Sequence, residues 1–201
     1  ELSAASRYFP AVGLLVGAIG VAVYGLAGWG LPHLVAVILS VGAMVLATGA
    51  LHEDGFADTC DGLGGGWTRE DTLRIMKDSR LGTYGAVGLV LLLAIKLGAL
   101  ASMESSMVAW TLIAAQTSSR FFAITLTRSL PYAQSQASSK SGGLQPLQGT
   151  DFQIAALIGL APLPLLGAVG VLAALLCGSA ALACGRYYQK RLGGYTGDSL
   201  G

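Results

Sequence analysis

Three aspartates, Asp54, Asp58 and Asp61, stand in His52-Glu-Asp-Gly-Phe-Ala-Asp-Thr-Cys-Asp-Gly62 at successive spacings of four and three residues. On a helix turning about 100° per residue, that spacing puts the three carboxylates on one narrow stripe. Like charges so placed repel and destabilise an isolated helix. A divalent cation offsets the repulsion, and Mg2+ is the natural candidate, because it takes hard oxygen ligands and shares them with phosphates. Gly55 and Gly62 beside the acids leave room for a phosphate or a neighbouring helix. Glu53 falls off the stripe and is expected to be solvated. His52 is expected to be a polar anchor at a membrane interface.

A second group, Lys77-Asp78-Ser79-Arg80-Leu-Gly-Thr-Tyr-Gly85, combines cations, hydroxyls and glycine ahead of an apolar run. That is the make-up of a phosphate or oxyanion site at a helix entrance. Asp78, set among cations, reads as the residue that orients Arg80. Lys96 and Arg120 lie within apolar runs, where charge is costly and faces a bundle interior or a polar cavity. Arg120 is expected at a depth that meets the aspartates, and Lys96, nearer the opposite side, in structural pairing or snorkelling. Asp198, in the glycine-rich Gly193-Gly-Tyr-Thr-Gly-Asp-Ser-Leu-Gly201, is either a fourth acid near the metal or a helix cap.

The elements that must position these residues follow from composition. Of 201 residues 53% are hydrophobic, with 29 glycines besides, and 11% are charged, against roughly 25% charged in a soluble domain. A soluble core of this size cannot hide that much apolar surface. The chain is expected to be an all-α, polytopic membrane helix bundle, a single domain over 1–201. A net charge of +1 leaves no footprint for nucleic acid. The three cysteines form no CxxC pair, and Cys177 and Cys184 are expected as small buried hydrophobes. The natural protein is expected to extend beyond Glu1 and Gly201.

Six spans of the length a bilayer needs are read at Pro10 to Gly30, Leu34 to Leu51, Tyr84 to Ala101, Met107 to Thr127, 152–165 and 168–186. The last two form a hairpin broken by Pro162 and Pro164. The acidic motif continues the end of the second span. With six spans, Arg7, Arg69, Arg74, Lys77, Arg80, Arg128, Lys140, Arg186, Lys190 and Arg191 share one side, and the opposite loops carry neither Lys nor Arg. The positive-inside rule makes that side cytoplasmic, with both termini and the polar segments 52–83 and 128–151.

The two motifs quoted above, with Ser119-Arg120 and Leu192-Gly-Gly-Tyr-Thr-Gly-Asp-Ser-Leu-Gly201, resemble the cobalamin synthases, or adenosylcobinamide-GDP ribazoletransferases, in order and spacing along nearly the whole chain. The resemblance implies that adenosylcobinamide-GDP is joined to α-ribazole, or its 5′-phosphate, giving adenosylcobalamin, or its 5′-phosphate, and GMP. It implies a Mg2+-dependent displacement at phosphorus by a ribose hydroxyl, in the inner membrane of a bacterium, with the active site facing the cytoplasm. Asp54, Asp58 and Asp61 would then be the metal-binding and catalytic set. Lys77, Asp78, Ser79, Arg80, Arg120 and Asp198 would bind substrate, with Arg80 and Arg120 on the pyrophosphate bridge. The lipid bilayer is the surrounding partner, and a homo-oligomer stays open. Glu53 and the Gly142–Gly149 loop depart from the family pattern. Two alternatives are a CDP-alcohol phosphotransferase, for which the later half of that family's motif is missing, and a cation transporter, whose acids belong near the bilayer midplane.

Overall fold

The computed structural model describes residues 5–133 and 145–201; Ser138, Lys140 and the start of the Gly142–Gly149 loop lie outside them. A short 3-10 turn, Ser6–Tyr8, leads into α1, Phe9–Ala27, with Pro10 in its first turn, where a missing amide costs no helical bond. Next come α2, His33–Ala47, and α3, Leu51–Gly65. The polar α4, Arg69–Ile75, precedes α5, Thr83–Ala101, and α6, Ser105–Ser129. Then follow α7, Gly149–Leu160, and α8, Ala168–Leu192. A 3-10 turn, Asp198–Leu200, closes the chain.

Helix α6 is the axis of the bundle. Helix α1 lies antiparallel on it, with Gly13 against the Gln116 carbonyl and Gly17 against Ile113, while Gly20 receives Met44 of α2. Small residues at helical spacing let backbones approach where lipid supplies no hydrophobic drive for association. Ser40 of α2 donates to the Gly20 carbonyl at 2.8 Å, and Val16, Val37, Val41, Leu100 and Leu112 pack around that contact. Helix α7 meets α6 antiparallel, with Phe152 against Phe121 and Gly159 against the same ring. Helix α8 runs parallel to α6, Gly178 facing Phe122 and Gly185 facing Leu126. The chain therefore reverses between α7 and α8, through Pro162, the 3-10 turn Leu163–Leu166 and Gly167 at φ +62°. The expected hairpin is present.

Among the described residues, four segments are long and apolar enough to cross a membrane: Ser6–Ala27, Thr83–Ala101, Gly149–Leu166 and Ala168–Leu192. The second expected span is corrected. It is not a straight helix running into the acidic motif but a broken one, with α2 and α3 at 86°. Gly49 and Ala50 form the elbow in the left-handed region, at φ +63° and +57°. Helix α6, the fourth expected span, is too polar to qualify by composition. Its position explains this: Thr117, Ser118, Arg120 and Thr127 are buried against protein, and Thr117 and Thr127 return their hydroxyl protons to carbonyls one turn back. Cys177 and Cys184 are exposed rather than buried, because α8 packs through its glycine face.

Candidate active site

Helix α3 lies antiparallel along α5, and the register is fixed at both ends. At one end both oxygens of the Asp61 carboxylate are engaged: Gly82 N donates to Oδ2 at 2.7 Å and Gly85 N to Oδ1 at 2.8 Å. These amides open α5, where the first-turn N–H groups have no partner within the helix and a negative charge is favoured. A Cβ at either glycine would collide with the carboxylate. Midway, Gly88 receives Cys60 and Phe56. At the other end Glu53 Oε1 pairs with Lys96 Nζ at 3.6 Å. The acidic motif thus lies on a separate helix, set at 86° to α2 and packed along α5, rather than on a straight continuation of the second span.

The C-terminal turn supplies a further acid. Gly193, left-handed at φ +73°, ends α8, and Arg69 of α4 holds the exit by donating to the Leu192 and Ala133 carbonyls, each at 2.6 Å. Tyr195 N donates to Pro131 O and Ala133 N to Tyr195 O, which ties this turn to the end of α6. Thr196 and Ser199, both buried, bond each other through backbone amides and hydroxyls. The turn so built rides on Gly55, whose absent Cβ would stand 2.8 Å from the Asp198 carbonyl oxygen. Asp198 is the first residue of this turn, and Gly197 stands at the cap position. Asp54, Asp61 and Asp198 are the acids whose charge reaches Asp58. Burial, then the charge of Asp54, raises the Asp198 pKa above the ordinary aspartate value.

The Lys77–Arg80 loop leads into the helix end that Asp61 grips. Asp78 orients Arg80 as expected: the guanidinium donates from Nε and Nη2 to both carboxylate oxygens at 2.6–3.1 Å, and the Arg80 amide adds a bond at 3.1 Å. These bonds hold the Asp78 pKa at about 2. Lys77, Ser79 and Arg80 are exposed. The preceding α4 is capped by Thr68, which accepts from Asp71 N at 3.1 Å, and Asp71 is paired to Arg74 at 2.7 Å.

Two expectations fail here. Arg120 does not join the aspartates: it is buried, and its Nη1 donates to Gln116 O and Gln116 Oε1 at 2.8 and 2.6 Å. The carboxylate whose charge reaches it is Glu53. Glu53 is not solvated; its side chain is 15% exposed and carries the Lys96 pair. Both corrections have one cause. The bend at Gly49–Ala50 turns the start of α3 inward, so Glu53 points to α5 and α6 instead of water. His52 is half-buried, within range of the charges on Arg120, Glu53 and Lys96. Lys96 is in a structural pair.

The donor set suits Mg2+ in kind. Asp54, Asp58 and Asp198 offer oxygen only, and among the described residues no Lys, Arg or His pairs with them. As placed, no group of three acidic, His or Cys side chains among the described residues closes on one point. Chemically the site offers uncompensated carboxylates beside a cationic loop, an arrangement for holding a phosphorylated substrate through a cation. Sequence spacing had placed the acidic stripe. The Asp61 grip is not legible from the spacing of the acids; its signal in the sequence is Gly82, Gly85 and Gly88, three residues apart, which mark a close-packed partner.

The chain matches the family described as cobalamin-5-phosphate synthase over residues 1–201. The adenosylcobinamide-GDP ribazoletransferase of Shewanella pealeana is 46% identical over 209 residues, spanning 100% of this chain and 80% of that protein. Its counterpart in Ralstonia nicotianae is 44% identical over 207 residues, spanning 100% of this chain and 79% of that protein. A third, from Shewanella frigidimarina, is 46% identical over 206 residues, with 100% and 79% covered. No solved structure matches the chain. With a match running its whole length and relatives this similar, the chain belongs to the cobalamin-5-phosphate synthase family.

Proposed function

We propose that this transferase of cobalamin synthesis joins adenosylcobinamide-GDP to α-ribazole or its 5′-phosphate, releasing GMP, and that it needs Mg2+. The observation that supports the reading is that Asp54, Asp58 and Asp198 lie within range of one another's charge, with no cation paired to them among the described residues, in a chain of this family. A ribose hydroxyl oxygen forms a bond to phosphorus, the bond from that phosphorus to the oxygen of the GMP portion breaks, and GMP leaves with that oxygen. Bound at Asp54, Asp58 and Asp198, Mg2+ would neutralise charge on the phosphoryl oxygens. An aspartate of this set accepts the proton of the attacking hydroxyl. Arg80, held by Asp78, and Lys77 and Ser79 face the phosphates. Asp61, both of whose oxygens already accept amides, positions that loop against the acids. Arg120 acts from the interior of the bundle, behind α3.

The membrane is the inner membrane of a bacterium and the site faces the cytoplasm; the one-sided distribution of Lys and Arg supports this. Turnover on membranes tests the function. GMP is expected only when adenosylcobinamide-GDP, α-ribazole and Mg2+ are all present, and Asp58→Ala abolishes it with membrane insertion intact. GMP release in the presence of a chelator, or full activity in Asp58→Ala, overturns the metal reading.

A further inference from the structure

Away from the acids, α6 and α8 enclose a groove of about 560 Å3 that no step of the proposed reaction uses. Its floor is made by Gly178, Ala181 and Gly185 of α8, and its walls by Phe122, Leu126 and Leu182. The groove is apolar at that end and polar at the other, where Ser129, Arg186 and Gln189 line it. Because α8 runs parallel to α6, the polar residues follow the apolar ones along the axis, and Gly178 to Gln189 spans about 16 Å at 1.5 Å per residue. The wall it opens through is a candidate membrane span with Leu172, Leu175, Leu176 and Leu182 exposed. Arg186 is exposed and has neither an ion pair nor a hydrogen bond among the described residues.

An apolar channel open to the bilayer, ending in an unpaired cation beside two further polar side chains, has the shape and charge order of one phospholipid. We infer that the α6–α8 groove binds an anionic phospholipid, an acyl chain along Gly178, Ala181 and Gly185 and the phosphate at Arg186 and Gln189. Basic pockets between membrane helices hold anionic headgroups by this combination of buried chain and localised charge. A zwitterionic lipid offers the same chain but no net charge to Arg186, so the site discriminates between the two.

Native mass spectrometry of the full chain in mild detergent, titrated with phosphatidylglycerol or with phosphatidylcholine of the same acyl chains, tests this. The wild type is expected to retain phosphatidylglycerol at least fivefold better. Arg186→Gln removes that preference, and Ala181→Phe, which fills the floor while keeping the charge, lowers retention of both lipids. Thermal unfolding of each variant shows that it is folded. Equal retention of the two lipids by the wild type overturns the proposal, as does unchanged retention in both variants. So does shielding of a label at Leu182→Cys from lipid-borne quencher, which would mean that a protein segment covers the groove.

Discussion

Asp198 releases its proton less readily than an aspartate in water, because it is partly buried and sits beside Asp54. The sign of its effect on stability follows. Between the ordinary value of 3.8 and its own raised pKa, the folded protein holds a proton that the unfolded chain has released. Stability therefore falls as pH rises through that window, and at neutral pH the ionised side chain is a net cost to folding in the absence of a cation. In a chelating buffer at pH 7, Asp198→Asn is expected to unfold at a higher temperature than the wild type, the gap closing as pH falls toward 3.8. Adding Mg2+ should raise the wild type more than the variant. A gap that ignores both pH and Mg2+ would remove Asp198 from the metal set. At this scale the sequence was informative about the stripe, because helical spacing alone aligns Asp54, Asp58 and Asp61. It was silent on where Asp198 lies, which depends on the packing of a distant turn on Gly55.

Between elements, the contact of α3 with α5 carries the site, and Asp61 is its joint. Buried at 8% exposure, it satisfies two amides that opened α5 without partners. Asp61→Ala leaves both unmatched, at about 1–3 kcal/mol for the buried Gly85 amide and less for the partly buried Gly82 amide, whereas Asp61→Asn keeps one acceptor oxygen. Thermal unfolding in detergent should show a clear drop for Asp61→Ala and a smaller one for Asp61→Asn. Asp54→Ala and Asp58→Ala should leave the midpoint unchanged or raise it, since each relieves repulsion along the stripe. If Asp61→Ala behaves like Asp58→Ala in this assay, Asp61 is a ligand like the others and not a joint. The hairpin of α7 and α8 was legible from Pro162, Pro164 and the side on which Arg186, Lys190 and Arg191 had to emerge. The elbow was not. Gly49 permits a left-handed turn, but Ala50 at φ +57° takes a conformation that no local preference announces.

For the molecule as a whole, the broken span decides which charges meet. A straight second span would have carried Glu53 into water and brought Arg120 up to the aspartates. The bend instead sorts the polar residues into two groups on opposite sides of α3. Asp54, Asp58 and Asp198 lie on one side, while Glu53 pairs with Lys96 between α3 and α5 and Arg120 bonds Gln116 within α6, in reach of the Glu53 charge. The membrane class was legible because hydropathy averages over many residues. The sorting was not, because it depends on one bend. The inner group makes a testable claim about the architecture. Glu53 Oε2 is buried without a hydrogen-bond partner among the described residues, so the ion pair with Lys96 is the direct contact that makes the carboxylate tolerable, with the charge of Arg120 in reach. Lys96→Met alone strands that charge and should cost about 3 kcal/mol, the scale for breaking a buried pair from one side. Glu53→Gln alone should cost less, because the lysine side chain is 34% exposed and can carry its ammonium toward water. The double variant should recover most of the loss, since a buried pair replaced on both sides is often neutral. Unfolding free energies for the wild type, the two single variants and the double variant form the cycle that isolates this coupling. Additive losses would mean that the two side chains do not hold α3 to α5, and that the grip at Asp61 fixes the register unaided.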